Sequence, residues 1–167
     1  MDADAKKTAL RMIPYGIYVL TAEASDGRVA GATVNWVTQV SFVPPLVVVG
    51  VKVDSTAHGL VKETMRFALN VLGKGQQAVA FKFFKPAVRE GDTISGERVA
   101  RGANGAPLLA CAAATLELTL VDTVERGDHS VFVGEVTEAR VVTPPAGRPD
   151  DAVLSMKDLG DKIFYGG

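Results

Sequence analysis

Residues 29–51 read VAGATVNWVTQVSFVPPLVVVGV, 23 residues without one charged side chain. An uncharged run of that length could cross a bilayer as a helix. Asn35, Thr38, Gln39 and Ser41 interrupt it, however, and Pro44-Pro45, which cannot donate to a ladder, divides it into strand-length pieces at 36–42 and 46–52. The stretch therefore reads as buried sheet, and the chain as β-rich.

Working outward from this pair, Tyr15 to Ala22 is a run of β-formers that enters Ser25-Asp26-Gly27, and Asp-Gly is a strong hairpin signal. Val29 to Val34 returns antiparallel. Ahead of them, Ala3 to Met12 predicts a short helix that ends before Pro14. Downstream, Asp54 or Ser55 caps a helix to about Met65, because a short side-chain oxygen accepts an orphan amide of the first turn. Phe67 to Leu72 is a strand, and Gln76 to Lys85 a helix stopped by Pro86. Ala87 to Pro107 has charges, glycines and no clean period, and is expected to be a long loop. Two long strands, Ala113 to Val124 and Ser130 to Val142, flank the tight turn Glu125-Arg126-Gly127-Asp128. The tail from 143 to 167 is expected to be irregular.

About seven strands with inserted rather than alternating helices favour a mainly β fold, an antiparallel barrel, over a parallel α/β sheet. The 167 residues make one domain, residues 1–167, able to bury about two thirds of the unfolded surface. A barrel of this size is filled by its own side chains, so a cofactor would lie outside it or between subunits.

Eighteen Lys plus Arg against nineteen Asp plus Glu leave a net charge of -1, without the basic excess that nucleic acid or an anionic membrane surface requires. A single cysteine, Cys111, excludes an internal disulfide and fits a reducing, cytoplasmic setting. It lies among Leu108, Leu109 and four alanines and reads as packing. The N-terminus has no apolar core of the secretory kind. No metal site is expected, since His58 and His129 lie 71 positions apart and neither is near the cysteine. His58, on the helix after Thr56, is expected to be a solvated surface residue.

Two motifs are set aside. Gly73-Lys74-Gly75-Gln76-Gln77-Ala78 matches G-x-G-x-x-A, but a proline and a charged loop follow its helix where a dinucleotide fold needs a parallel strand. Asp128, His129 and Ser130 hold the residue types of a hydrolase triad, yet strand neighbours point to opposite faces and are not expected to chain hydrogen bonds.

Two other segments carry chemistry. Thr33-Val34-Asn35-Trp36-Val37-Thr38-Gln39-Val40-Ser41 places polar, uncharged side chains and a tryptophan in an apolar strand pair, where unsatisfied polar groups are costly, so a planar polar partner is the natural complement. Edge-strand side chains facing water remain the alternative. Lys52-Val53-Asp54-Ser55-Thr56 sets a cation and two hydroxyls at a helix N-terminus, a cradle for one phosphate or else a simple N-cap.

Together with Arg66-Phe67-Ala68-Leu69-Asn70-Val71-Leu72 and Gly127-Asp128-His129, these segments resemble the flavin reductase-like family of FMN-binding split barrels over residues 8–142. The Asn35-Trp36 version is most similar to domains that some proteins fuse to a rubredoxin. The resemblance implies an antiparallel Greek-key split barrel, a homodimer, and an FMN with its ring against the Thr33 to Ser41 strand pair. The backbone of Val34 and Val40 belongs to that wall, with Asn35, Trp36, Thr38 and Gln39, while the phosphate lies near Lys52, Ser55 and Thr56. Lys82 and Phe83 are implied to close over the flavin, and Gly127, Asp128 and His129 to meet the nicotinamide, with His129 orienting it. The implied activity is hydride transfer from NADH or NADPH to the flavin, then to free flavin, oxygen or a separate redox protein. A non-enzymatic FMN-binding electron carrier is the rival reading. The tail from Ile163 to Gly167 departs from the family's usual ending.

Overall fold

A computed structural model describes residues 1–167. Helix α1 (Ala3–Arg11), capped by the Asp2 carboxylate on the Ala5 amide, precedes the strands β1 (Tyr18–Glu23), β2 (Val29–Val34), β3 (Val37–Ser41) and β4 (Leu46–Lys52). Then follow α2 (Thr56–Thr64), β5 (Arg66–Val71) and α3 (Gln77–Lys82). The short strands β6 (Arg89–Glu90), β7 (Thr93–Ile94), β8 (Glu97–Arg101) and β9 (Pro107–Leu109) lead to the long hairpin β10 (Ala114–Glu125) and β11 (His129–Val141). No helix is long and apolar enough to cross a membrane.

Seven strands form one antiparallel sheet in the order β2-β1-β5-β10-β11-β4-β3. Its two outer strands, β2 and β3, are consecutive in the chain and only Asn35 and Trp36 separate them. Three Cα steps span at most about 11 Å. The two edges of a seven-stranded sheet can come that close only if the sheet rolls up, so this short link forces a barrel and marks its seam. The β10–β11 hairpin lies between β4 and β5, which makes the order a Greek-key arrangement.

The barrel interior is one apolar cluster centred on Leu20, Phe67, Leu69, Leu118 and Phe132, all without exposed surface, with Ala57, Leu60 and Val61 of α2 inserted at one end. A second cluster lies outside the wall and joins Ile17, Val19, Leu72, Phe83, Ile94, Leu109 and Leu154. β1 contributes to both, Leu20 inward and Val19 outward, and so has no water-facing side. Buried on both faces, such a strand reads as a continuous apolar run.

One expectation is corrected by the outer layer. Residues 87–107 do not form a plain loop: β6 to β9 make a four-stranded sheet across the outside of the wall. Asn70 pins that sheet, its amide donating to the Val19 carbonyl and the Thr21 hydroxyl, each at 3.0 Å, while its oxygen accepts from the Leu109 amide at 2.8 Å. The Thr21 hydroxyl donates onward to the Pro107 carbonyl at 2.5 Å. Charges on the solvent face had hidden the strands, which are too short to show a period. The tail has no strand or α-helix, only two short turns at 149–152 and 156–159, yet it packs on the barrel, since Gly16 bridges Ser155, Gly73 bridges Val153, and Leu154 is fully buried.

The glycine-rich turn at Gly73 is a turn and helix start. Gln76 closes it by accepting from the Gly73 amide at 2.7 Å and donating to the Cys111 carbonyl at 2.5 Å. Cys111 is half-buried, and burial together with neighbouring Glu97 pushes its thiol up to about 11, which leaves it protonated at neutral pH.

Replacing Leu154 by alanine removes a side chain fully enclosed between the tail and the barrel. The expected cost is roughly 2–5 kcal/mol in urea unfolding, against almost nothing if the tail were a loose appendage.

Candidate functional site at the barrel seam

A cavity of about 360 Å³ opens along the seam, at the low end of the range for ligand pockets. Thr33, Val34 and Asn35 of the β2 end form one wall, and Gly50, Val51 and Lys52 of the β4 end form the other. Ser55 closes one extremity, while Phe83 and Phe84 from the end of α3 lie across it. α3 is held there by the exposed edge of β2, where the Thr33 amide donates to the Phe83 carbonyl at 3.1 Å and the Thr33 hydroxyl to the Ala80 carbonyl at 2.6 Å. The contact also covers backbone groups that an open edge would leave unpaired.

Trp36 turns back over the neighbouring strand, its carbonyl accepting from the Gly50 amide at 2.9 Å. A Cβ on residue 50 would meet the indole at 2.9 Å, so glycine is required there. The indole nitrogen of Trp36 is buried and has no hydrogen-bond partner. Its ring faces His129 at a centroid distance of 4.6 Å and Tyr165 at 5.5 Å.

His129 begins β11 beside Lys52, its register partner on β4. Its Nδ1 lies 2.9 Å from Asp128 Oδ1 and its Nε2 2.7 Å from the Tyr165 hydroxyl. A carboxylate only accepts, so Nδ1 carries the hydrogen, and Nε2 of the neutral ring accepts from the phenol. The hydrogen bond from His129 holds the Asp128 carboxyl below its ordinary range, and burial keeps the Tyr165 phenol protonated to higher pH than usual. The expectation that strand neighbours cannot bond is thus corrected for this pair: Asp128 lies in the turn, ahead of the strand that fixes alternation. Ser130 does alternate, is fully buried, and meets a different histidine.

That histidine is His58, and its expected surface position is wrong. α2 carries it into the barrel end, where it is buried, bonded to Ser130 at 2.8 Å and stacked on Phe132 at 5.1 Å. A polar residue one turn into an exposed-looking helix gave no sign that the barrel mouth would receive it.

Next to Lys52, Ser55 is the N-cap of α2, accepting from the His58 amide at 3.1 Å and donating to the Lys52 carbonyl at 2.7 Å. The first turn still has amides without intrahelical partners, and the helix dipole adds partial positive charge. Lys52 pairs with Asp54 at 3.0 Å, which raises its affinity for its proton. Thr56 is exposed beside them.

The remaining expected residues scatter. Thr38, Gln39 and Val40 are exposed on β3 and Ser41 is half-buried. They lie opposite Val48 to Leu46 and so run away from the cavity, whose wall is at Gly50 to Lys52. Lys82 does not line the cavity and pairs with Glu97 at 2.5 Å. Phe83 does line it and is buried. Gly127 shapes the turn before His129. The residue that sequence reasoning missed is Tyr165, whose carbonyl accepts from the Asn35 amide at 3.1 Å while its hydroxyl meets His129. A terminal Phe-Tyr-Gly-Gly offers no periodicity that could have placed it.

Residues 10–155 match the model of the flavin reductase like domain. The reductase subunit Stc3 of a stachydrine N-demethylase from Rhizobium meliloti is 35% identical over 136 residues, covering 81% of this chain and 58% of that protein. A high molecular weight rubredoxin from Moorella thermoacetica is 32% identical over 136 residues, covering 80% of this chain and 59% of its own length. The chain thus spans about three fifths of these curated relatives. Among solved structures, the Streptomyces globisporus C-1027 NADH:FAD oxidoreductase SgcE6, in complex with NAD and FAD fragments, superposes with a TM-score of 0.69 at 37% identity, over 77% of this chain and 76% of that one.

His58 sets one dependence on pH. Burial, and to a lesser extent Lys62, lower its proton affinity below the ordinary value of 6.5, so the unfolded chain takes up the proton first. Stability is therefore full above about pH 7 and falls as pH drops through 6.5 toward the lowered native value. Urea midpoints between pH 8 and pH 5 should show this decline in the native protein and a flatter one in His58→Gln.

Proposed function

The chain belongs to the flavin reductase-like family, with its split-barrel fold, and from that premise we propose that it is an FMN-dependent NAD(P)H oxidoreductase. One observation carries the reading. The seam cavity is lined by Lys52 and Ser55 at the start of α2 and by the Asn35 amide, and Tyr165, which also lines it, packs against the unpartnered Trp36 indole and bonds the His129 imidazole just outside. FMN offers the complementary features, an anionic phosphate for the helix start and a flat ring with polar edges for the amide.

In this reading Lys52 and the first-turn amides of α2 bind the phosphate, and Ser55 acts mainly by fixing that turn. The Asn35 amide and the Trp36 indole N–H donate to ring carbonyl oxygens, and Phe83 excludes water from the apolar side. When bound, the flavin supplies the acceptor, at N5, for the hydride that leaves a reduced nicotinamide. His129 presents its Nε2 lone pair to the carboxamide N–H₂ of that nicotinamide, and Asp128 holds the tautomer that makes this possible. No protein base is required, because the residues act by placing donor and acceptor within about 3–3.5 Å. The electrons pass onward to free flavin, oxygen or a protein acceptor; a rubredoxin-type partner is suggested by the Moorella relative.

We further propose a homodimer. Phe42 and Val43, 86% and 92% exposed at the β3–β4 turn, extend the exposed Val40 on β3. Apolar side chains grouped in that way on a barrel edge are suited to a second copy, which would also bring Thr38 to Ser41 against a flavin.

Lys52→Met should weaken FMN by about tenfold or more and riboflavin hardly at all, as expected for loss of one charge-assisted phosphate contact. His129→Ala should leave FMN affinity unchanged while raising KM for NADH or slowing anaerobic bleaching. Equal loss of both flavins in the first variant would count against the phosphate end. An FMN complex whose spectrum NADH and NADPH both leave unchanged would make the chain a carrier rather than a reductase.

Sedimentation should give a dimer that Phe42→Asp converts to a folded monomer; a native monomer, or a dimer indifferent to this charge, would exclude that interface.

A further inference from the structure

Residues 163–165 form the partition between two cavities. On one side is the seam cavity, and on the other a groove of about 640 Å³ lined by the end of α1 and the segment after it, Arg11 to Tyr15, and by the tail itself; Ile163, Phe164 and Tyr165 line both. The partition is lightly held. Apart from the Ile163 amide on the Gly160 carbonyl, no backbone hydrogen bond ties residues 163–167 to the fold. What holds them are side chains of the barrel and of α1: Asn35 on the Tyr165 carbonyl, His129 on its hydroxyl and Trp36 beside its ring, and from α1 Arg11 on the Gly166 carbonyl and over the Phe164 ring at 4.3 Å.

Those partners are the groups that the flavin and nicotinamide need. The Tyr165 carbonyl takes the Asn35 donor that a ring carbonyl would take. Its hydroxyl donates to the His129 Nε2 that a carboxamide N–H₂ would meet. We propose that Tyr165 is a gate that satisfies both halves of the site from within the chain and has to swing toward the α1 groove before flavin and nicotinamide can bind together. Gly160, at φ 131°, sits where the tail leaves the packed Leu159 and supplies the hinge, since other residues adopt that conformation only with strain. Closed, the gate spares Asn35 and His129 from facing a half-empty cavity; open, it frees both at once. The binding-competent fraction then sets the apparent flavin affinity.

The inference rests on the flavin reading, and one set of titrations separates the two. FMN is titrated into the native protein, Tyr165→Ala, Tyr165→Phe and Arg11→Ala, following quenching of flavin fluorescence. Collisional quenching of Trp36, the only tryptophan, is measured on the same proteins without flavin. The gate predicts FMN binding about tenfold tighter in Tyr165→Ala, and tighter by about threefold in Tyr165→Phe and in Arg11→Ala, which loosens the tail from outside the seam cavity. It also predicts a more quenchable Trp36 in Tyr165→Ala. Unchanged or weaker FMN binding in both Tyr165→Ala and Arg11→Ala would make the tail a fixed wall and overturn the gate while leaving the flavin reading in place. Failure of all four proteins to bind FMN would overturn both.

Discussion

The whole molecule depends on a two-residue link. Asn35 and Trp36 carry the chain from one edge of a seven-stranded sheet to the other, and so short a connection can be made only by a closed sheet. Rolling the sheet up brings its two edges together, and α3 covers part of the β2 edge that would otherwise stay open. Closure also leaves a discontinuity, because β2 and β3 end beside each other without a ladder between them. The cavity lies at that discontinuity. Its walls are the last residues of β2 and of β4, and the link itself supplies the Asn35 amide, with the Trp36 indole buried next to it. Folding constraint and candidate binding site are therefore the same piece of chain.

A closed barrel of this size spends its interior on packing, and Phe67, Phe132 and Leu118 fill it. Everything else has to be built on its outside. α3 caps the free edge of β2, the four-stranded insert covers β1, and the tail crosses both. Each addition shields apolar surface that the rolled sheet leaves outward, which is why a second cluster exists around Val19 and Leu154. The two histidines divide along the same line. His58 is drawn inside and serves stability, whereas His129 is held at the seam between Asp128, in the turn before it, and the hydroxyl of Tyr165.

Much of this was legible in the residues. The uncharged run broken by Pro44-Pro45, the Asp26-Gly27 turn and the two long strands around Gly127 determine the hairpins, because turn chemistry and alternation act over a few residues. Lys52 followed by a capping serine marks a helix start for the same local reason, and Gly127-Asp128-His129 marks the turn that presents an imidazole. The local rules failed where pairing is not local. The strands of residues 89–109 are two to five residues long and are held by Asn70, a side chain of the barrel that lies far from most of them in sequence. The burial of His58 came from Ser130 and Phe132, more than seventy positions away.

By itself, then, the sequence determined the strands of the main sheet, their turns and the barrel class, since each depends on neighbours in the chain. Only the tertiary structure decided that Thr38 to Ser41 diverge from the cavity, that Lys82 is occupied by Glu97, and that Tyr165 stands between Asn35 and His129. Those outcomes depend on closure of the barrel, which brings residues 35, 129 and 165 to one seam. A contact between side chains 36 and 130 positions apart leaves no periodic trace in the chain, because nothing about either partner's neighbours has to change for it to form.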